Sequence, residues 1–390
     1  MMNDIWSENK YVNYAVNVLL FFLAMNFMHY GQIIIPLICL IIFIDRKFKF
    51  NVNDYRIFLL LASFGIVFFV FSKRDDLFCF MGMMIPMAYY IGSNIYEPDK
   101  EKIKNIIYLL SFGMAFHVIL NFGYDLAIRG IECFTRNSHL DFWYKDEFPT
   151  TQTAVNYVFM LGIFYYLVVY EKNKKVVCLL VSTFAIIMIY AIALGRRTPF
   201  VLFAIALFVP TLIDRQKIAR NAYQKNKIVK IMVFSLITFS VLILGYFFNF
   251  LGLKEFVSNL SITKKISRFG LYMGRIDILI KTLKLAPYHM FGGSEISVIL
   301  DIEPHDLWMD TFNYAGIFAF ILLVVYSCFC YKTIKKAITN QNLSYSYRLM
   351  LTVFYLCIII QMFLEPIMTG SSIFFLCTVI VITLTENLTF

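Results

Sequence analysis

The chain has 390 residues, of which 60% are hydrophobic, 18% aromatic and 15% charged, with a mean hydropathy of +0.72. Globular domains carry about 25% charged residues, so this composition excludes an ordinary soluble fold and implies an integral membrane protein. The net charge of +10 stands on no soluble domain that could dock a nucleic acid duplex, and it suits a membrane containing anionic lipids.

One crossing takes about 20 apolar residues, so twelve would use roughly 240 and leave too little for a separate soluble catalytic domain. The expectation is therefore a single polytopic domain over residues 1–390. The chain opens Met1, Met2, Asn3, Asp4 with Glu8 close behind, which lacks the basic start of a cleavable signal, so the first apolar run is expected to be retained as a span. In chain order the apolar runs predict spans near 11–27, 31–44, 57–71, 77–95, 105–128, 151–170, 176–194, 200–213, 231–250, 311–330, 349–364 and 371–384. Seven cysteines fall in these runs and only Cys133 lies in a loop, so packing is expected of them rather than a disulfide framework or a zinc site.

Alternate loops differ in basic residues. The set that includes the N-terminus carries 21 Lys and Arg, against 14 on the other set, which is longer. The more basic side is expected to face the cytoplasm, placing both termini inside. The stretch Asp214 to Lys230, with six basic residues, is the strongest determinant, and the loops at 129–150 and 251–310 then face outward.

Three outward loops concentrate polar residues. The first, Arg129 to Thr150, mixes Arg136, His139, Asp141, Lys145, Asp146 and Glu147 with Phe142, Trp143 and Tyr144. Rings that stack on a sugar face and acids that accept from its hydroxyls fit carbohydrate binding; an interfacial aromatic belt accounts for the rings equally well. The second is the turn Gly195-Arg196-Arg197-Thr198-Pro199, where two arginines run against the positive-inside tendency. They either snorkel at a helix end or present bidentate guanidinium groups to a phosphate.

The third loop, 251–310, holds Ile276, Leu279, Ile280 and Leu283 at helical spacing with Arg275, Lys281 and Lys284 off the stripe, which predicts a helix lying in the membrane interface. Lys264, Arg268 and Arg275 would share a face on continuous helix, although Gly270 and Gly274 interrupt the pattern. Pro287 ends the helix, and Gly292, Gly293 and Ser294 predict a tight turn. Next comes Glu303-Pro304-His305-Asp306-Leu307-Trp308, with Gly316 inside the following span. A histidine at a membrane surface is commonly structural, but His305 adjoins an acid and shares its loop with Arg268 and Arg275.

In His305, Asp306, nine further residues and Gly316 at the top of a late span, the chain resembles the bacterial polysaccharide polymerase and O-antigen ligase superfamily, the Wzy-type enzymes. Arg275 followed by Gly292 in the same loop, and the earlier Arg197-Thr198 turn, are also similar to family features, while Asp306 stands where Asn, Ser or Gln is usual. The resemblance implies an all-α, GT-C-like membrane glycosyltransferase of about twelve helices whose large outer loop carries interfacial helices. It implies polymerisation of repeat units of a capsule, O-antigen or exopolysaccharide carried on undecaprenyl pyrophosphate, at the outer face of the bacterial cytoplasmic membrane.

Donor and acceptor glycans on that lipid, membrane lipids, a flippase and a chain-length regulator are the partners it implies, without a metal or other cofactor. The sequence has no HExxH, and the turn at 28–30 is too short for an acidic metal-binding loop. The expected roles are His305 as base, Arg275 and Arg197 on the pyrophosphate with Arg196 and Arg268 in support, and Asp306 orienting the ring or touching the sugar. A ligase that transfers a finished glycan to a lipid or protein would use the same parts. A lipid-linked glycan flippase or other transporter would instead place charges at mid-membrane and keep its loops short on both sides.

Overall fold

The computed structural model describes residues 10–46, 52–72, 78–95, 99–135, 138–149, 155–218, 255, 258–260, 263 and 275–388. The expected span at 231–250 and the residues Arg136, Lys264, Arg268, Gly270 and Gly274 lie outside the described residues. The helices are α1 (Lys10–Ala24), α2 (Gly31–Arg46), α3 (Val52–Phe71), α4 (Phe78–Asn94), α5 (Lys100–Arg129), α6 (Val158–Val169) and α7 (Lys174–Ala193). They continue with α8 (Thr198–Ile218), α9 (Arg275–Leu285), α10 (Glu295–Leu300), α11 (Leu307–Thr339), α12 (Tyr345–Leu364), α13 (Ile367–Gly370) and α14 (Ser372–Asn387). Among the described residues the only strand pairing is an antiparallel hairpin of β1 (Ser138–Leu140) and β2 (Glu147–Pro149), with His139 opposite Phe148.

Among the described residues, five segments are long and apolar enough to cross a bilayer: Asp54–Phe71, Lys100–Phe134, Lys174–Ala193, Leu307–Thr339 and Tyr345–Leu364. Lys10–Ala24, Gly31–Asp45, Val158–Val169, Thr198–Ile213 and Ser372–Asn387 are shorter apolar helices. The protein is therefore an all-α membrane protein. Its helices contain Pro36, Pro86 and Pro210, which membrane helices tolerate because neighbouring groups satisfy the freed backbone. On α2, Ile33, Leu37, Leu40 and Ile44 are exposed while Ile34, Ile35, Ile38 and Ile42 are buried, so an apolar helix offers one face to the protein and one to lipid.

The chain forms two compact units. The first comprises Met1–His117, Gly274–Ser344 and Ile358–Phe390; the second comprises Val118–Met273 and Tyr345–Cys357. In the first, α4 packs on α2, α3 and α14, and α11 packs on α3 and α14. Small residues permit these approaches: a Cβ on Gly65 would lie 2.5 Å from the Gly82 carbonyl, and one on Gly92 would lie 2.7 Å from the Ile380 carbonyl. Every residue of α14 from Ser372 to Glu386 is buried, as expected of a helix that is apolar on all sides.

In the second unit α6 packs on α7 and α8, with Phe164, Phe184 and Phe203 in mutual ring contact. Phe159 meets Phe354 edge-on at 4.9 Å, where Gly162 lets the α12 backbone come close. The Asn173 side chain caps α7 by accepting from the backbone of Lys175 and Val176.

Candidate functional site

The segment from Arg275 to Asp310, which contains His305, belongs to the first unit. It opens with α9, on which Ile276, Leu279, Ile280 and Leu283 are exposed while Ile278 and Thr282, four residues apart, are buried. The apolar stripe anticipated from spacing thus faces away from the protein. A short 3-10 turn at Ala286–Tyr288, with Pro287 inside it, ends the helix. His289 follows, its Nδ1 2.6 Å from Oε2 of Glu295.

Gly292, Gly293 and Ser294 then take positive φ values of 77°, 83° and 65°. The turn they form docks into an interruption of α11. At Gly316 that helix is broken, with φ 76° and ψ −170°, which frees backbone groups on either side. Gly293 N–H donates to the Tyr314 carbonyl (2.9 Å) and Ser294 N–H to that of Asn313 (2.9 Å), while Ile317 N–H donates to the Met290 carbonyl (2.8 Å). The Asn313 amide completes the join: its oxygen accepts from Ser297 N–H at 3.1 Å, and its nitrogen donates to the Ser297 hydroxyl. A Cβ on Gly292 would stand 2.6 Å from Gly316 N, and one on Gly316 would stand 2.5 Å from the Met290 carbonyl. The glycine of the expected arginine–glycine pair and the glycine of the expected histidine motif are therefore packed backbone to backbone.

His305 lies directly before α11, half-buried, after the buried Pro304. Asp306 is the N-cap of the helix: it adopts an extended conformation, and its carboxylate accepts from Met309 N–H at 2.8 Å. Burial raises the Asp306 pKa above the usual carboxylate range, against the opposing pull of hydrogen bonds from the Met309 and Trp308 backbone. One turn on, the fully buried Asp310 accepts from Thr369 N–H (3.1 Å) and the Thr369 hydroxyl (2.9 Å), which ties the start of α11 to α13. The Tyr314 hydroxyl donates to Glu303 at 2.7 Å. Trp308 packs on Phe363 with ring centres 4.5 Å apart and donates from its indole N–H to the Ser327 hydroxyl. The histidine thus lies on backbone anchored on both sides, by Glu303 before it and by the cap of α11 at Asp306 after it.

Of the other expected site residues, Arg275 is the first residue of α9. Arg196 and Arg197 are half-buried in the second unit, in the turn between α7 and α8. Gly195 there has φ 64°, Arg196 N–H donates to the Ala191 carbonyl (3.0 Å), and the Arg197 carbonyl accepts from Phe200 N–H (3.1 Å), opening α8. The structure therefore puts His305, Asp306 and the Arg275 backbone in one unit and the arginine pair in the other.

The loop 129–150 is a hairpin held from beneath by charge. Arg129 pairs with the fully buried Asp125 at 3.3 Å, with Glu147, and with the Ser138 carbonyl. The Ser138 and Tyr190 hydroxyls donate to Glu147 and Asp125 respectively. The Asp141 carboxylate accepts from Trp143 N–H (2.9 Å) and Tyr144 N–H (3.0 Å), and Asn121 accepts from Phe142 N–H. Asp141 and Glu147 thus both bond within the hairpin, Glu147 with its side chain half exposed, and His139 is fully buried, whereas Phe142 and Tyr144 are exposed. Among the described residues, no three His, Cys, Asp or Glu side chains cluster as metal ligands would.

No protein-family model matches the chain, and the search of curated proteins gives no match. The functional reading therefore rests on the residues and their geometry.

The sequence did not indicate the bonds of Asp310 to Thr369, Tyr314 to Glu303 or Asn313 to Ser297. Only the capping role of Asp306 had a local signal, an acid directly before a helical apolar run.

Proposed function

We propose that the protein is a membrane glycosyltransferase of about twelve spans and GT-C-like architecture that polymerises undecaprenyl-pyrophosphate-linked repeat units at the outer face of the bacterial cytoplasmic membrane. The observation that carries this reading is the join of Gly292 to Gly316, which brings together the glycine of the arginine motif and the glycine of the histidine motif. Such a construction suits a residue that must hold its position, because a catalytic group is effective only when oriented to within a few tenths of an ångström.

In this reading His305 accepts the proton of an acceptor sugar hydroxyl as that oxygen attacks the anomeric carbon of the donor. The bond from the anomeric carbon to the pyrophosphate oxygen breaks, and undecaprenyl pyrophosphate leaves with the electron pair. Histidine is the side chain most often used for such a proton transfer, and it fits the task. Arg275 and Arg197, supported by Arg196 and Arg268, would stabilise the charge growing on the leaving pyrophosphate. Asp306, bonded to the helix backbone, positions the residue next to it. Both termini would lie in the cytoplasm, following the loop charges.

Deleting the gene and analysing lipid-linked glycans tests the reading. A polymerase mutant accumulates single repeat units on the lipid; unaltered polymer would contradict it, and full-length polymer left on the lipid would indicate the ligase reaction.

A further inference from the structure

Residues 311–331 of α11, a range that includes the break at Gly316, run for 21 residues without a charge, bounded by Asp310 and Lys332. At 1.5 Å per residue this is about 32 Å, the thickness of the hydrocarbon core, so this stretch must supply the crossing. Gly316 lies five to six residues along it, up to about 8 Å inside the boundary. The turn at Gly292, Gly293 and Ser294 is bonded to the backbone of Asn313, Tyr314 and Ile317 through its own and neighbouring groups, so it sits at that depth. Irregular backbone is tolerated there only where the protein satisfies its polar groups, which is what the broken helix does.

The side chains around this turn are apolar and uncovered. Phe291 is 63% exposed and Val298 79%, with Tyr288, Met290 and Ile299 exposed beside them. Just beyond the break, Phe318 and Ile321 of α11 are also exposed. A water-facing surface rarely carries so many large apolar groups. Within the segment the exposed carboxylate of Glu295 is held by His289, and Ser297 is bonded to Asn313.

We propose that residues 288–299 form a re-entrant element whose Phe291, Val298 and Ile299 face contacts the acyl chains of the bilayer, continuous with the lipid face of α11. The preceding helix α9 lies nearer the headgroups, where exposed Lys281 and Lys284 reach the phosphate level while Leu279, Ile280 and Leu283 enter the hydrocarbon. The proposal requires only that the chain spans a membrane and is independent of the transferase reading.

The test uses the purified full-length chain in nanodiscs of phosphatidylethanolamine and phosphatidylglycerol with radiolabelled acyl chains. A photoreactive phenylalanine analogue is placed at Val298, at Phe291 or, as a water-exposed control, at Asn342 in the turn between α11 and α12. On illumination, acyl label should attach to the chain at 298 and 291 several-fold more than at 342. Incorporation no greater than at 342, or a crosslink to a second copy of the chain in its place, would overturn the proposal. Should one variant fail to fold, the other position and Ile299 carry the same test.

Discussion

Gly292 and Gly316 meet backbone to backbone, each in a positive-φ conformation and each with a carbonyl or amide where a Cβ would stand. Alanine at either position adds about 1–3 kcal/mol of backbone strain before any clash is counted. Gly316→Ala and Gly292→Ala should therefore lower the thermal unfolding temperature of the detergent-purified protein. Gly123→Ala, in α5 with nothing within 4 Å of the added carbon, should leave it unchanged or raise it. Equal stability of the three variants would contradict the docked turn.

Asp306 is expected to act through the helix it caps. Asp306→Ala should lose about 0.5–2 kcal/mol of stability, whereas Asp306→Asn keeps an accepting oxygen. Because burial raises the carboxyl pKa in the folded state, this group's stabilisation is full below its unfolded pKa and is lost as pH rises through the folded value. Asp306→Asn should accordingly equal or exceed the native protein in stability at neutral pH and lose that advantage in acid. Unfolding measured across pH checks both the sign and the window.

Arg129 holds the hairpin through the fully buried Asp125. Arg129→Ala leaves a buried carboxylate without its cation, a loss of about 3–5 kcal/mol. The protein should then be poorly recovered from membranes or unfold early. His139→Ala should also act on stability, since the ring is fully enclosed.

The helices were legible because an apolar run of sufficient length has few alternatives in a membrane. The expected span at 151–170 is helical from Val158 to Val169, and the helix stop at Pro287 and the tight turn at Gly292 to Ser294 also lie where local chemistry placed them. What local chemistry does not encode is partnership. Gly292 and Gly316 each announce an unusual backbone, but only tertiary structure joins them, and Asp310 finds Thr369 across 59 residues. In the hairpin, composition suggested sugar binding by the acids of 141 and 147, yet Asp141 is bound to backbone amides and Glu147 to Arg129. Their partners were invisible to a count of residue types.

If the arginines clamp pyrophosphate, Arg197→Ala and Arg275→Ala should abolish polymerisation while the protein stays in the membrane, each losing about 1.5–3 kcal/mol or more. Lysine should rescue poorly, being a point charge without the guanidinium fork. Polymer length on gels, with protein level in the same membranes, reads both effects; full activity of Arg275→Ala would remove it from the site.

The most direct measurement is turnover of lipid-linked repeat units by purified His305→Ala, with donor binding followed in the same preparation. Loss of a general base should reduce turnover by about 10²–10⁴-fold while donor still binds through the arginines. His289→Ala, which gives up a partly exposed pair with Glu295, should remain near normal. Polymerisation by His305→Ala at the native rate would contradict the assignment of the base and with it the account of the site.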